Sequence, residues 1–129
     1  MINVDGLEEA ARSAIELING WRKSHTEERS ALSIAVMVQS EKVRDAVKRQ
    51  IEHAGIQTIA ITAQSNHSGK RDAVHLATMH RAKGLEFDCV VVIAPERFFI
   101  IDNEGQTNRN LLYVALSRAK RLAALITLR

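Results

Sequence analysis

Two clusters of polar residues in the second half of the chain have side chains suited to binding phosphates and hydroxyl groups. The first is the run from Thr78 to Asp88, which reads TMHRAKGLEFD. Gly84 permits close backbone approach or a positive φ angle, and Lys83 is a flexible cation suited to a phosphate or a carboxylate. Glu86 could accept a hydrogen bond from a ribose hydroxyl. A loop of solvated charges would account for the same residues.

The second cluster is the run from Asn110 to Ala119, which reads NLLYVALSRA. On a helix, Arg118 would share the sheet-facing side with Val114, so it would bury its stem and carry its guanidinium out to an edge. Five fixed donors at such an edge suit a phosphate. An ion pair with Glu86 or Asp88 is the alternative explanation of this arginine.

Strand periodicity adds a further expectation for the first cluster. Thr78 and His80 stand two residues apart at the end of a predicted strand, so they should share one of its faces. His75 and His80 should point to different faces. The chain has one cysteine, Cys89, inside an apolar run. We therefore predict no metal site and no internal disulfide, and we expect a reducing, cytoplasmic setting.

The elements that must position these clusters predict an α/β domain. Apolar runs of β-branched residues indicate about five mostly parallel strands, at 32–38, 56–61, 74–79, 89–94 and 122–128. Apolar stripes indicate helices at 5–21, at 108–120, and between a capping Ser40 and a terminating Gly55. A polar loop is predicted at 62–72 and a turn at 102–107. Both clusters then lie at strand–helix junctions, where ligands of such sheets bind.

Length and net charge limit the number of domains and the kinds of partner that are expected. The 129 residues predict a single domain, with an N-terminal helix and loop at 1–30 and an α/β core at 31–129. The net charge of +3 permits a polyanionic partner without requiring one. No apolar run approaches the roughly 20 residues of a membrane helix, so no membrane partner is expected.

The two clusters together resemble a known family. The pattern Thr78-x-His80-x-x-Lys83-Gly84-Leu85-Glu86-Phe87, followed by a valine-rich strand, resembles motif V of the UvrD/Rep/PcrA group of superfamily 1 DNA helicases. The run from Leu112 to Ala119 resembles motif VI of the same group. The order and separation of the motifs fit, and residues 32–38, with the helix and Gly55-Ile56 after them, look like an earlier stretch of the same domain.

The resemblance implies the second RecA-like motor domain, called 2A, in which ATP binds between two RecA-like domains. It implies that Arg118 is the arginine finger on the γ-phosphate, with Gly84 near that phosphate and Glu86 on the ribose. It also implies that Thr78, His80 and Arg81 face single-stranded DNA. Lys83, Tyr113 and Ser117 would support these motifs.

The chain departs from a complete helicase of this family. It has no Gly-x-x-x-x-Gly-Lys-Ser/Thr segment and no Walker B Asp-Glu pair. The segment Asn19 to Ser24 only loosely resembles the family's phosphate-binding Asn-Tyr-Arg-Ser motif, and the 62–72 loop is too short for the 2B insertion. We therefore expect ATP with Mg²⁺ to bind only with a P-loop (1A) domain, in cis or in trans, and the isolated chain to lack ATPase activity.

Two other readings remain open from the sequence. A stand-alone, non-enzymatic 2A-like module could bind DNA or a helicase partner through the same surfaces. An unrelated nucleotide-binding α/β domain could share the two motifs by coincidence. Salt-dependent DNA binding is expected for the motor domain and for the stand-alone module alike, so it does not separate them.

Overall fold

In a computed structural model, the described backbone covers residues 2–24, 32–62, 73–99 and 103–129. Within these ranges six strands form one sheet, in the order β1-β6-β5-β2-β4-β3, and every neighbouring pair is parallel. The strands are β1 (Ile2–Val4), β2 (Ile34–Val38), β3 (Thr58–Ala60), β4 (Val74–Thr78), β5 (Phe87–Pro95) and β6 (Ala119–Leu128). The prediction of an α/β fold with a mostly parallel sheet is confirmed.

Three helices and two short 3₁₀ turns cover the two faces of the sheet. The helices are α1 (Leu7–Ser24), α2 (Glu41–His53) and α3 (Asn103–Leu116), and the 3₁₀ turns are Met79–Arg81 and Glu96–Phe99. All five residues of β2 are fully buried, because this strand lies inside the sheet and is covered on both sides. This explains its unbroken apolar sequence.

Each face of the sheet has its own apolar core. One core joins α1 and α2 to the sheet through side chains such as Ile18, Val47 and Ile51. The other joins the connection between β4 and β5, the second 3₁₀ turn and α3 to the opposite face, through Met79, Phe98 and Leu112 among others. The domain is therefore a three-layer structure with both candidate motifs on the same side of the sheet.

Local signals in the sequence set several boundaries of these elements. The Ser40 hydroxyl accepts a hydrogen bond from the Val43 amide at 3.3 Å, which caps α2 as predicted. Gly55 follows this helix with a φ angle of +85°, a conformation that favours glycine. Pro95 is the last residue of β5.

The structure differs from the predicted elements at several points. Strand β1 was not predicted, because three residues are too few for a periodicity signal. The predicted turn at 102–107 is wrong, since α3 begins at Asn103. The segment from Asn19 to Ser24 lies in the last turns of α1. Helix α3 ends at Leu116, so Arg118 lies beyond the helix rather than on it. The predicted polar loop at 62–72 lies almost wholly outside the described residues.

None of the helices built from the described residues combines the length and the apolar character that a membrane span requires.

Candidate functional site

The two candidate motifs meet through the backbone. The amide of Phe87, the first residue of β5, donates a hydrogen bond to the carbonyl oxygen of Arg118 at 2.9 Å. The next residue, Ala119, pairs with Phe87 in the sheet. Because β5 and β6 both begin here, Arg118 and the residues just before Phe87 are neighbours at the amino-terminal edge of these two strands.

The bend before Phe87 is open to solvent. A hydrogen bond of 3.0 Å from the Leu85 amide to the Ala82 carbonyl oxygen closes a turn around Lys83 and Gly84. Gly84 has a φ angle of +84°, which L residues with side chains rarely adopt. A Cβ atom at this glycine would meet no other atom within 4 Å. Lys83, Gly84 and Glu86 are all exposed, so a ligand can approach this bend closely.

Arg118 is half-buried, and its guanidinium contacts its own helix end. Its Nε donates to the Val114 carbonyl oxygen at 3.2 Å, and its Nη2 donates to the Ser117 hydroxyl at 3.2 Å. No carboxylate among the described residues forms an ion pair with it. The Asp88 carboxylate accepts a hydrogen bond from the Ser33 amide instead. The charge of Arg118 is therefore not neutralised by either candidate partner, Glu86 or Asp88.

The residues predicted to face DNA lie at the opposite edge of the sheet. Strand β4 ends at Thr78, which is buried, whereas His80 and Arg81 in the following 3₁₀ turn are exposed. The expectation that Thr78 and His80 share a strand face is wrong, because the chain leaves the strand at Met79 and the period-two alternation stops there. Met79 itself is fully buried and anchors the turn.

The separation between the two groups follows from the strand register. Thr78 pairs with Val38, and Met37 pairs with Val92, so Thr78 is level with about Ile93, near the carboxyl end of β5. Phe87 begins β5 about six residues earlier, a distance of roughly 20 Å along the strand. Residues 79–86, here called the crossing segment, span this distance over one face of the sheet. The predicted site is thus split between two edges of the sheet. Ligands of such sheets are generally expected at the carboxyl ends of the strands. Arg118 and Glu86 instead lie at the amino ends of β5 and β6.

The remaining predicted residues lie around the end of α3. Tyr113 is 61% exposed, and Ser117 is also exposed. The Ser117 hydroxyl donates to the Val114 carbonyl oxygen at 2.8 Å, so it contacts the last turn of the helix. Within the described part of the chain, no three His, Cys, Asp or Glu side chains come together in an arrangement that could hold a metal ion.

One pair at the same amino-terminal edge was not predicted. Ser33 precedes β2 and Asp88 is the second residue of β5; the Asp88 amide donates to the Ser33 hydroxyl at 2.8 Å, in addition to the bond from the Ser33 amide to the Asp88 carboxylate. The two residues are 55 positions apart. No local pattern in the sequence signals a pair at this separation. It fixes the start of β5, and therefore the position of Phe87 beside Arg118.

Comparison with known proteins finds similarity to helicase C-terminal domains. The sequence profile of the UvrD-like helicase C-terminal domain matches residues 73–126, which include both motifs. A search of curated proteins finds no significant match to the chain. Among solved structures, the C-terminal domain of a "possible DNA helicase" from Lactobacillus plantarum superposes with a TM-score of 0.70 at 24% identity. The alignment covers 98% of this chain and 72% of that one.

More distant solved structures share the fold. The C-terminal domain of the DEAD-box protein Dbp5 matches with a TM-score of 0.57 at 13% identity, over 100% of this chain and 76% of that chain. The helicase domain of Hef from Pyrococcus furiosus matches with a TM-score of 0.58 at 14% identity, over 91% of this chain and 25% of that chain. The chain therefore has the RecA-like α/β fold of these structures, and its residues 73–126 are similar to the UvrD-like helicase C-terminal domain.

Proposed function

We propose that this domain is the C-terminal motor half of an ATP-dependent superfamily 1 DNA helicase. It supplies Arg118 as an arginine finger to ATP that a separate P-loop domain holds. The observation that carries this proposal is the hydrogen bond from the Phe87 amide to the Arg118 carbonyl oxygen, because it brings both motifs to one edge of the sheet. Glu86 precedes Phe87 directly and is exposed at the same edge.

The chemistry assigned to this edge is hydrolysis of the terminal phosphoanhydride bond. Water attacks the γ-phosphorus, the bond to the β-phosphate oxygen breaks, and ADP and phosphate leave. Negative charge on the transferred group is stabilised by the guanidinium of Arg118, an effect worth about 10³–10⁵ in rate in related systems. Its charge is not cancelled by an ion pair with a described carboxylate, which favours this role.

The other assigned roles follow the same edge. Gly84 lets the backbone approach the γ-phosphate, since its left-handed conformation leaves open space where a side chain would stand. Glu86 accepts a hydrogen bond from the ribose, and Lys83 adds positive charge beside the nucleotide. The chain has no P-loop and no Walker B pair, so the β-phosphate and Mg²⁺ are held by the partner domain. The isolated domain is then inactive as an ATPase.

The DNA track is assigned to the opposite edge. Exposed His80 and Arg81 contact the phosphate backbone of single-stranded DNA, and Thr78 lines the track beneath them. The crossing segment joins this edge to the nucleotide edge within eight residues. Closing of the nucleotide cleft can therefore displace the DNA contacts through one short, packed piece of chain, whose Met79 and Ala82 are fully buried.

The test uses the domain together with a P-loop helicase domain, either in the full-length protein or added in trans. We expect DNA-stimulated ATP hydrolysis that the isolated domain does not show. Arg118→Ala should lower kcat by about 10³-fold or more, with an unchanged circular dichroism spectrum. Arg12→Ala, an exposed arginine on α1, is the matched control and should keep wild-type activity. Full activity of Arg118→Ala in this setting would disprove the assignment.

One rival function is a non-enzymatic module that binds single-stranded DNA or a helicase partner without turnover, which the exposed His80 and Arg81 would also permit. The same experiment separates the two functions. If the domain binds DNA but stimulates no hydrolysis with any P-loop partner that it binds, the non-enzymatic function is the correct one.

A further inference from the structure

Three hydrogen bonds form a closed ring at the end of α3. The Ser117 hydroxyl donates to the Val114 carbonyl oxygen at 2.8 Å and accepts from Arg118 Nη2 at 3.2 Å. Arg118 Nε donates to the same Val114 oxygen at 3.2 Å. The Val114 carbonyl is available because the Arg118 amide bonds to the Ala115 carbonyl at 3.2 Å, which breaks the α-helical pattern. The way in which α3 ends therefore leaves the Val114 carbonyl oxygen free to accept the two hydrogen bonds of the ring.

This ring fixes the direction of the guanidinium. A guanidinium has five N–H donors in a rigid plane, and the ring uses two of them. About three donors remain, on the outer nitrogens. An arginine side chain has many rotamers, so an arginine finger without supporting contacts would lose conformational entropy each time it bound a phosphate. Here much of that loss has already occurred in the free domain, before a nucleotide or a partner is present.

We propose that Ser117 is a positioning residue whose hydroxyl holds Arg118 ready for the γ-phosphate. Ser117 is the only side chain in the ring besides Arg118, since the third member is a backbone carbonyl. Its hydroxyl serves as donor to Val114 and as acceptor from Arg118, which requires an oxygen at this position. Threonine supplies the same oxygen, whereas alanine does not. The role of Arg118 toward phosphate rests on the proposed function, but its orientation does not.

The first experiment measures orientation on the isolated domain. Nitrogen-15 relaxation of the Arg118 Nε–H group, assigned by its loss in Arg118→Lys, reports the order of the side chain. We expect wild-type Arg118 to be more ordered than exposed Arg81. Ser117→Ala should bring Arg118 close to the order of Arg81 and raise its Nε–H exchange rate several-fold, and Ser117→Thr should restore both. Wild-type order in Ser117→Ala would overturn the positioning role.

The second experiment measures turnover in the protein paired with its P-loop domain. Ser117→Ala should lower kcat about tenfold with little change in KM for ATP, and Ser117→Thr should recover most of it. Equal loss in both variants would show that Ser117 matters for reasons other than its hydroxyl, and would also overturn the proposal. If instead Arg118→Ala is fully active while Ser117→Ala still loosens Arg118, the proposed function fails and the positioning of Arg118 stands.

Discussion

Ser33 and Asp88 hold one another through two reciprocal hydrogen bonds across the amino-terminal edge of the sheet. The Ser33 amide donates to the Asp88 carboxylate at 3.0 Å, and the Asp88 amide donates to the Ser33 hydroxyl at 2.8 Å. A third bond, from the Cys89 amide to the Ser33 carbonyl oxygen at 3.0 Å, continues the ladder between β2 and β5. These bonds thus fix the chain at Asp88, one residue after Phe87, whose amide bonds to the Arg118 carbonyl oxygen.

Asp88→Ala should destabilise the domain by about 1–3 kcal/mol, because it leaves the half-buried Ser33 amide without its acceptor. Asp88→Asn keeps an acceptor oxygen and should cost less. Asp45→Ala is a matched control, since Asp45 forms an ion pair with Arg44 at 3.1 Å but its side chain is 58% exposed. That change should cost about 0–1 kcal/mol. Urea unfolding measures all three, and an Asp88→Ala cost no larger than that of Asp45→Ala would contradict the prediction.

Gly84→Ala should destabilise the domain by about 1–2 kcal/mol through backbone strain alone. The φ angle of Gly84 is +84°, and no atom lies within 4 Å of the position its Cβ would take. Gly20→Ala is the control, because Gly20 also has open space around it but lies within α1. There alanine should stabilise the helix by up to about 1 kcal/mol. Thermal or urea unfolding should show opposite signs for the two variants.

Arg81→Ala should weaken binding of single-stranded DNA equally for different sequences. It should also reduce the slope of log affinity against log salt concentration by about 0.7, the loss expected for one phosphate contact. Fluorescence anisotropy of a labelled oligonucleotide over a range of salt concentrations gives this slope. The control is Arg12→Ala, an exposed arginine on the helix that covers the other face of the sheet. A slope lowered equally by both changes would place the DNA elsewhere.

Glu52→Gln should remove a pH-dependent contribution to stability on the acid side. Hydrogen bonds from Lys48, and then from Thr58, lower the pKa of the Glu52 carboxyl below its usual 4.5. A carboxyl whose folded pKa is lowered stabilises the fold above its unfolded pKa, and this contribution is lost as the pH falls through the folded value. The wild-type advantage over Glu52→Gln in urea unfolding should therefore be present at neutral pH and shrink below about pH 4.5. A difference that stays constant into that acid range would refute this linkage.

Local chemistry predicted much of this fold correctly. The unbroken apolar runs of β2 and β5, the serine cap before α2 and the glycine after it each act over a few residues, so the sequence alone indicates them. The end of α3 was placed too late because Arg118 continues the helical spacing. In the structure the Arg118 amide bonds to the Ala115 carbonyl oxygen, and the Arg118 carbonyl oxygen accepts a tertiary hydrogen bond from Phe87, which no local signal reveals.

The arrangement of the candidate site was also only partly predictable from the sequence. Motif spacing indicated which residues could act, and the structure places Glu86 and Arg118 at one edge of the sheet. Spacing could not show that Thr78 and His80 differ in exposure, because nothing in it marks the change from strand to 3₁₀ turn at the buried Met79. It also could not predict the Ser33–Asp88 pair, whose partners come together only when β2 and β5 align.

The pairing of β1 with β6 has a consequence for how the domain forms. Ile2 lies beside Ile126, so the sheet joins residues more than 120 positions apart. Contacts between such distant residues require closure of a long loop, and they slow folding more than local contacts do. During synthesis, β1 has no strand to pair with until β6 has left the ribosome. We therefore expect this edge of the sheet to form last and to exchange its amide protons earliest.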